Sequence, residues 1–193
     1  MEKHLLLKLL QSVHDFPESE FPKLLALFRD KKFRKNEMLF SAGDVVKETH
    51  FIIKGLVKQY FIAPEGGERT IYFAEEGKFC GELNSFLFET PTKLSMQALE
   101  DTETIYLDRK NWEYGMTNIP DFTMWHLKNH QKLMVRLKEE VGAAANETPD
   151  EKYRKLVNEN PELLQRLPQY QIASYLGITP ETLSRIRKRN TKL

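Results

Sequence analysis

Pro168-Gln-Tyr-Gln-Ile-Ala-Ser-Tyr-Leu-Gly-Ile-Thr-Pro-Glu-Thr-Leu-Ser-Arg-Ile-Arg-Lys-Arg189 is the stretch from which the rest of the chain is best read. Ile172, Leu176, Ile178, Leu183 and Ile186 are apolar at spacings that close one small core. Ala173 is small where two helices would cross, and Gly177 stands four residues on, where a left-handed turn residue is needed. Thr179 then offers an N-cap hydroxyl, and Pro180 a first helical residue with its φ already set. The pattern predicts two short helices joined by a tight turn. In the second, Glu181, Ser184, Arg185 and Lys188 fall at i, i+3, i+4 and i+7 on one face, while Leu183 and Ile186 point the other way. An ordinary amphipathic helical hairpin would not require so many agreeing turn, cap and core positions. The reading is a helix-turn-helix with a polar recognition face.

Charge supports that reading. The net charge is only +1, but it is uneven. From Glu151 to Leu193, nine Lys and Arg stand against four Glu, and the last eleven residues hold five bases and no acid. A basic tail after such a helix pair is the electrostatic footprint of phosphate binding.

At 193 residues the chain has room for one large domain or two small ones. A 40% hydrophobic content supplies a core, and 30% charged residues points to a soluble protein. No apolar run approaches the roughly 20 residues that span a bilayer. Met1–Leu10 is an amphipathic start, too short in its apolar run for a secretory signal and followed by no small-residue cleavage site. A cytoplasmic location without membrane attachment is expected. Cys80 is the only cysteine, so no intrachain disulfide and no cysteine cage for zinc or an iron–sulfur cluster can form. It is expected to be an apolar buried residue. Haem ligation through Cys80 or His50 lacks a supporting pair, and no metal site is assigned.

The first thirty residues read as helical, ending at an Asp30-Lys31-Lys32 break. From Phe33 to about Asp108, short alternating or apolar stretches are separated by turn residues such as Gly43, Gly55 and Gly66-Gly67. That punctuation indicates an antiparallel β-sandwich or roll. A short helical turn is expected around Gly81–Phe88, and a short helix from Asp108 that glycine ends at Gly115. Asp121–Val141 is the longest helical run. In it Leu127, His130, Met134, Leu137 and Val141 recur at 3-4-3-4 spacing, a short self-association seam or a stripe that packs on its own β-domain. Gly142–Asn146 reads as a hinge, and Thr148-Pro149-Asp150-Glu151 as a capping box opening the next helix. The fold class is therefore α+β. Residues 1–120 form an N-terminal antiparallel β-roll or jelly roll, 121–145 a long dimerisation helix and hinge, and 146–193 a C-terminal helix-turn-helix domain.

The whole arrangement, a glycine-punctuated roll, a Gly81-Glu82-Leu83 segment, one long helix and a C-terminal helix-turn-helix, resembles the Crp/Fnr family of transcription regulators. The match is strongest over Pro161–Arg189, which looks like the short Bacteroidetes-type regulators. The resemblance implies a homodimer built on the long helix, a palindromic operator, and an effector pocket in a cyclic-nucleotide-binding-like roll. Glu181, Ser184 and Arg185 match the base-reading face of the Fnr branch, which implies TTGA-like half-sites. Chemically, a carboxylate accepts from a cytosine amino group and a guanidinium takes guanine O6 and N7. Gln169, Thr179 and Thr182 match phosphate-contact positions, and Arg187, Lys188 and Arg189 extend that set. Pro180 stands where the cyclic-AMP receptor often has a base-reading arginine. A β-hairpin wing usually follows the recognition helix, but only Asn190–Leu193 remain here.

The sensor half departs from the family. Gly81, Glu82 and Leu83 match the segment that opens the nucleotide cassette, yet Thr92, followed by Lys93, stands where the phosphate-binding arginine belongs. Lysine is a point charge without arginine's two-point geometry. The tentative effector pocket is Gly81, Glu82, Leu83, Thr92 and Lys93. A cyclic nucleotide is its disfavoured occupant, and no cofactor is assigned. Five scattered histidines, one cysteine and no Gly-rich phosphate loop argue against an enzyme. The expected partners are double-stranded DNA, a second copy of the chain, an unidentified small-molecule effector and RNA polymerase. The competing function is a small-molecule sensor or adaptor without operator-specific DNA binding, which would leave the recognition face unexplained.

Overall fold

The computed structural model describes residues 4–144 and 147–190 and divides into two compact units. The first comprises Met1–Gln59 and Phe73–Val135; the second comprises Tyr60–Tyr72 and Arg136–Leu193.

In the first unit, α1 (His4–Val13) buries Leu6, Leu7 and Leu10, so the amphipathic start of the chain is core. A short α2 (Phe21–Leu25) follows. The roll then runs β1 (Arg29–Phe33), β2 (Met38–Phe40), β3 (Glu48–Lys54), β4 (Val57–Ile62), β5 (Glu68–Ala74), β6 (Phe79–Cys80), α3 (Leu83–Phe88), β7 (Ser95–Ala98) and β8 (Thr102–Asp108), with Tyr60–Tyr72 of β4 and β5 belonging to the second unit. Its two sheets have strand orders β1-β8-β3-β6 and β2-β7-β4-β5. β1 corrects the expected break at Asp30-Lys31-Lys32: these residues are a strand in antiparallel register with β8, Lys31 opposite Thr104 and Phe33 opposite Thr102. Four successive charged residues hide the alternation there, because lysine stems lie along a sheet while their heads stay in water.

β3 is buried over His50–Ile53 because both its faces are covered. Phe51 and Ile53 join Ile105, Leu107, Leu6, Leu10, Phe16 and Leu24 in a core that also takes Phe122 and Trp125. Fully burying side chains of this size contributes about 1.5–3 kcal/mol each. The β3–β4 turn turns on Gly55 at φ +108; a Cβ there would stand 2.7 Å from the Thr102 Cα and 2.9 Å from the Asp101 carbonyl oxygen. No other residue fits without moving backbone.

Helix α4 (Arg109–Asn118) runs through Gly115 and does not end there. Gly115 is an approach point: a Cβ would meet the Phe122 ring at 3.1 Å. Helix α5 (Pro120–Ala144) continues past Gly142, so the expected hinge is helical at its first three residues.

In the second unit, α6 (Pro149–Glu159) opens with the expected capping box, Thr148 and Glu151 each bonding the other's backbone N–H. Asn160 closes it, and α7 (Pro161–Arg166) follows. Helix α8 (Gln169–Leu176) ends at Gly177, φ +70 and ψ +37, and α9 (Pro180–Asn190) follows. Leu156, Leu163, Leu167, Ile172, Ala173, Leu176, Leu183 and Ile186 are all buried; Ile178 is only partly so.

Candidate nucleic-acid interface and effector cassette

Helix α9 begins with the predicted cap: Thr182 N–H donates to the Thr179 hydroxyl at 3.2 Å. The left-handed Gly177 lets Ile178 N–H reach back to the Ala173 carbonyl at 3.0 Å, which closes α8 and sets the angle of the turn. With Leu183 and Ile186 inward, Glu181, Arg185, Arg187, Lys188 and Arg189 are exposed, and Thr182 and Ser184 are partly so. The Glu181 carboxyl is held below its ordinary range by its own backbone N–H, then the Thr179 hydroxyl and the Arg185 charge. It therefore stays an acceptor, as reading a cytosine amino group requires. Gln169 is exposed at the first position of α8.

The basic cluster is not uniform. Arg189 Nη2 lies 3.1 Å from Asp150 Oδ2, and Asn190 Nδ2 donates to Asp150 Oδ1 at 3.1 Å. Asp150 also holds Arg154 Nε at 3.1 Å. The start of α6 thus ties down the end of α9, a role for Asp150 that its sequence position next to a cap gave no reason to expect. Lys192 lies outside the described residues.

Helix α5 presents two faces. Phe122 and Trp125 are buried in the first unit, and His126 Nε2 accepts from Trp112 Nε1 at 3.2 Å. Burial, then the neighbouring His130, pushes the His126 imidazole down to about 4. The predicted seam residues are exposed, Leu127 at 53%, Met134 at 67% and Leu137 at 44%, the last two within residues 131–139, which are exposed on every side. The seam and the stripe that packs on the unit's own core are therefore different residues. His130 is half-buried, its Nδ1 donating to the His126 carbonyl at 2.8 Å. The Val141 side chain lies outside the described residues.

In the roll, Glu82 is the N-cap of α3, its carboxylate accepting from Asn84 N–H at 3.1 Å and Ser85 N–H at 2.7 Å. The amides at the start of α3 thus bind this chain's own carboxylate. Gln59 Nε2 donates to the Gly81 carbonyl at 3.3 Å, and Leu83 is 49% exposed. Thr92 is buried, its N–H donating to the Asp44 carbonyl and its hydroxyl accepting from Leu94 N–H. Lys93 beside it is exposed. The Ser85 hydroxyl accepts from Val46 N–H at 2.8 Å, so the segments around Glu82 and Thr92 are tied to one loop, residues 41–47, while Lys93 points to solvent.

Cys80 is buried as expected, while the partners of the polar residues inside the roll escaped the sequence reading. His50 is buried with Nε2 3.3 Å from Glu48 Oε2 and Nδ1 3.1 Å from the Thr104 hydroxyl. Both ring nitrogens are engaged, leaving neither for a metal. Hydrogen bonding from His50, then from Lys31 with its charge, holds the Glu48 carboxyl at about 2 despite partial burial. Cys80, opposite His50, is buried with its thiol pushed up to about 12, so it stays protonated. Among the described residues no three His, Cys, Asp or Glu are grouped to hold a metal ion, and no helix is long and apolar enough to cross a membrane.

Residues 30–117 match the family model of the cyclic nucleotide-binding domain. No curated protein matches the chain. Among solved structures, the fold is similar to FixK2 from Bradyrhizobium japonicum, at TM-score 0.72 and 17% identity over 86% of this chain and 85% of that one. It is also similar to the c-di-GMP responsive global regulator CLP from Xanthomonas campestris, at TM-score 0.71 and 14% identity over 91% and 92%. The catabolite activator protein of Thermus thermophilus matches at TM-score 0.61 and 20% identity over 93% and 85%. Identities this low speak for the fold: a cyclic-nucleotide-binding-type roll within an α+β chain.

Proposed function

We propose that this chain is a DNA-binding transcription regulator of the Crp/Fnr type, acting in the cytoplasm as a homodimer on palindromic operators. The observation that carries the reading is α9: a capped helix, backed by Leu183 and Ile186, whose outer face is Glu181, Ser184, Arg185 and Lys188. In this reading α8 and α9 form a helix-turn-helix with α9 in the major groove. Glu181, Ser184 and Arg185 read bases, while Gln169, Thr179, Thr182, Arg187 and Lys188 meet phosphates. Arg189 divides its charge between Asp150 and DNA. RNA polymerase is the partner through which such a regulator would act.

The second copy joins through the exposed Leu127, Met134 and Leu137 face of α5. Leu137→Glu places a charge in that seam at a cost of several kcal/mol if unpaired. Sedimentation should then show a dimer for the wild type and a monomer for the variant; a wild-type monomer at all concentrations contradicts the dimer.

The effector is proposed to be something other than a cyclic nucleotide monophosphate. Glu82 already fills the amides that would meet a phosphate, and Thr92 is locked into a turn where the family has arginine. The test of function is selection of bound DNA from a random pool. An inverted repeat with half-sites roughly 10 base pairs apart should emerge, bound more weakly as salt rises. A pool with no enriched sequence would leave the sensor or adaptor reading in its place.

A further inference from the structure

Within the second unit, the outer edge of β5 is closed by a side chain. β5 ends the strand order β2-β7-β4-β5, so among the described residues that edge has no further strand. Open edges carry unpaired N–H and C=O groups. Here the Ser174 hydroxyl accepts from Thr70 N–H at 3.0 Å and donates to the Glu68 carbonyl at 2.8 Å. One hydroxyl thus serves both backbone groups as a neighbouring strand residue would. Three residues earlier on the same face of α8, Gln171 Oε1 accepts from the Thr70 hydroxyl at 3.4 Å. Thr70 is 1% and Gln171 3% exposed, so both are committed to this contact. Beyond them the Arg69 guanidinium lies across the Gly177 turn, where a Cβ would come within 2.0 Å of Nη2. A cation there faces the carbonyl end of α8, a favourable place for positive charge.

The opposite side of α8 carries Ile172, Ala173 and Leu176 in the core with Leu183 and Ile186 of α9. Glu68, Arg69 and Thr70 of β5 therefore hold α8 and its turn and leave Glu181, Arg185 and Lys188 exposed. We propose that Ser174, Thr70 and Gln171 are positioning residues for DNA recognition: they fix α8 to the Glu68–Thr70 edge and, through the shared core, fix the angle of α9. None touches DNA in this account. The proposal rests on the reading of α9 as the recognition helix.

The test uses the full chain. Ser174→Ala and Thr70→Val should lower affinity for the selected inverted repeat about five- to tenfold. Affinity for unrelated DNA and the slope against salt should stay unchanged, since no phosphate contact is lost. A Thr70→Cys, Ser174→Cys double variant should be weak when reduced and regain wild-type affinity when oxidised. Wild-type affinity in Ser174→Ala overturns the proposal, and so does an oxidised double variant that binds less tightly than its reduced form. Amide exchange at Thr70 checks the contact without DNA: the N–H should be protected in the wild type and lose protection at least tenfold in Ser174→Ala. Unprotected Thr70 in the wild type overturns the contact itself. Protection in a protein that enriches no DNA overturns the recognition reading and the positioning role with it, while leaving the contact standing.

Discussion

The starts of α3 and α9 carry the same residue types and use them oppositely. At α3 the cap is Glu82, whose carboxylate bonds two amides of its own helix. At α9 the cap is Thr179, and the acid two positions on, Glu181, stays on the exposed face. An acid at the cap satisfies the helix's free N–H groups and takes itself out of recognition. A hydroxyl at the cap does the first job, and Glu181, held by its own N–H and the Thr179 hydroxyl, keeps its carboxylate at the surface. The difference makes α3 a closed helix start and α9 an open one.

The two units also differ in titration. All five histidines lie in the first unit and none in the second. His126 is held neutral, its pKa lowered from 6.5 to about 4. A lowered histidine pKa means the unfolded chain takes up the proton first. Stability is therefore fully present above pH 6.5 and is lost as pH falls toward 4. Between pH 7 and 5 His126 should cost the first unit about 2 kcal/mol, at ~1.4 kcal/mol per pH unit. Hydrogen exchange resolved by residue should show the loss around Trp112 and Trp125 and not around Leu183. His126→Gln, which keeps an acceptor for Trp112, should remove the His126 share of the dependence and leave that of His50, whose pKa burial also lowers; equal acid sensitivity in both units would remove the contrast.

Cap substitutions sharpen the comparison at about 1 kcal/mol each. Thr179→Ala should fray α9 and weaken operator binding. Glu82→Ala should cost similar stability while leaving operator affinity alone, as measured by denaturation and DNA titration on the same samples. Loss of operator binding in Glu82→Ala would mean that the roll's closed helix start controls the open one.

The smallest expected signal is from cyclic AMP. Calorimetry should give no tight binding to the wild type. Tight binding abolished by Glu82→Ala would show that Glu82 leaves its amides for the ligand, and that Lys93 or the backbone replaces the missing arginine.

Where packing and local chemistry agree, the chain was readable in advance. Gly177, Thr179, Pro180 and the Thr148–Glu151 box each have one dominant conformational role, and each occupies it. β1 was not readable because Arg29–Lys32 conceal a strand whose partner, β8, lies some seventy residues away. Gly115 misled because a glycine in a helix can stop it or admit a neighbour, and only the Phe122 ring decides which. The Glu48–His50–Lys31 cluster and the Ser174 contact were hidden for the same reason. Their partners are distant in sequence, and serine, threonine and glutamine follow no periodicity that marks a tertiary hydrogen bond.

The exposed face of α9 is tested most directly by comparing Arg185→Ala with Lys188→Ala on the selected operator and on variants altered at one guanine. Arg185→Ala should cost about 1–3 kcal/mol per half-site and erase the preference for that guanine. Lys188→Ala should weaken all sequences alike and flatten the salt slope. Equal loss on every sequence for Arg185→Ala would contradict base reading by this face and make Arg185 a backbone contact.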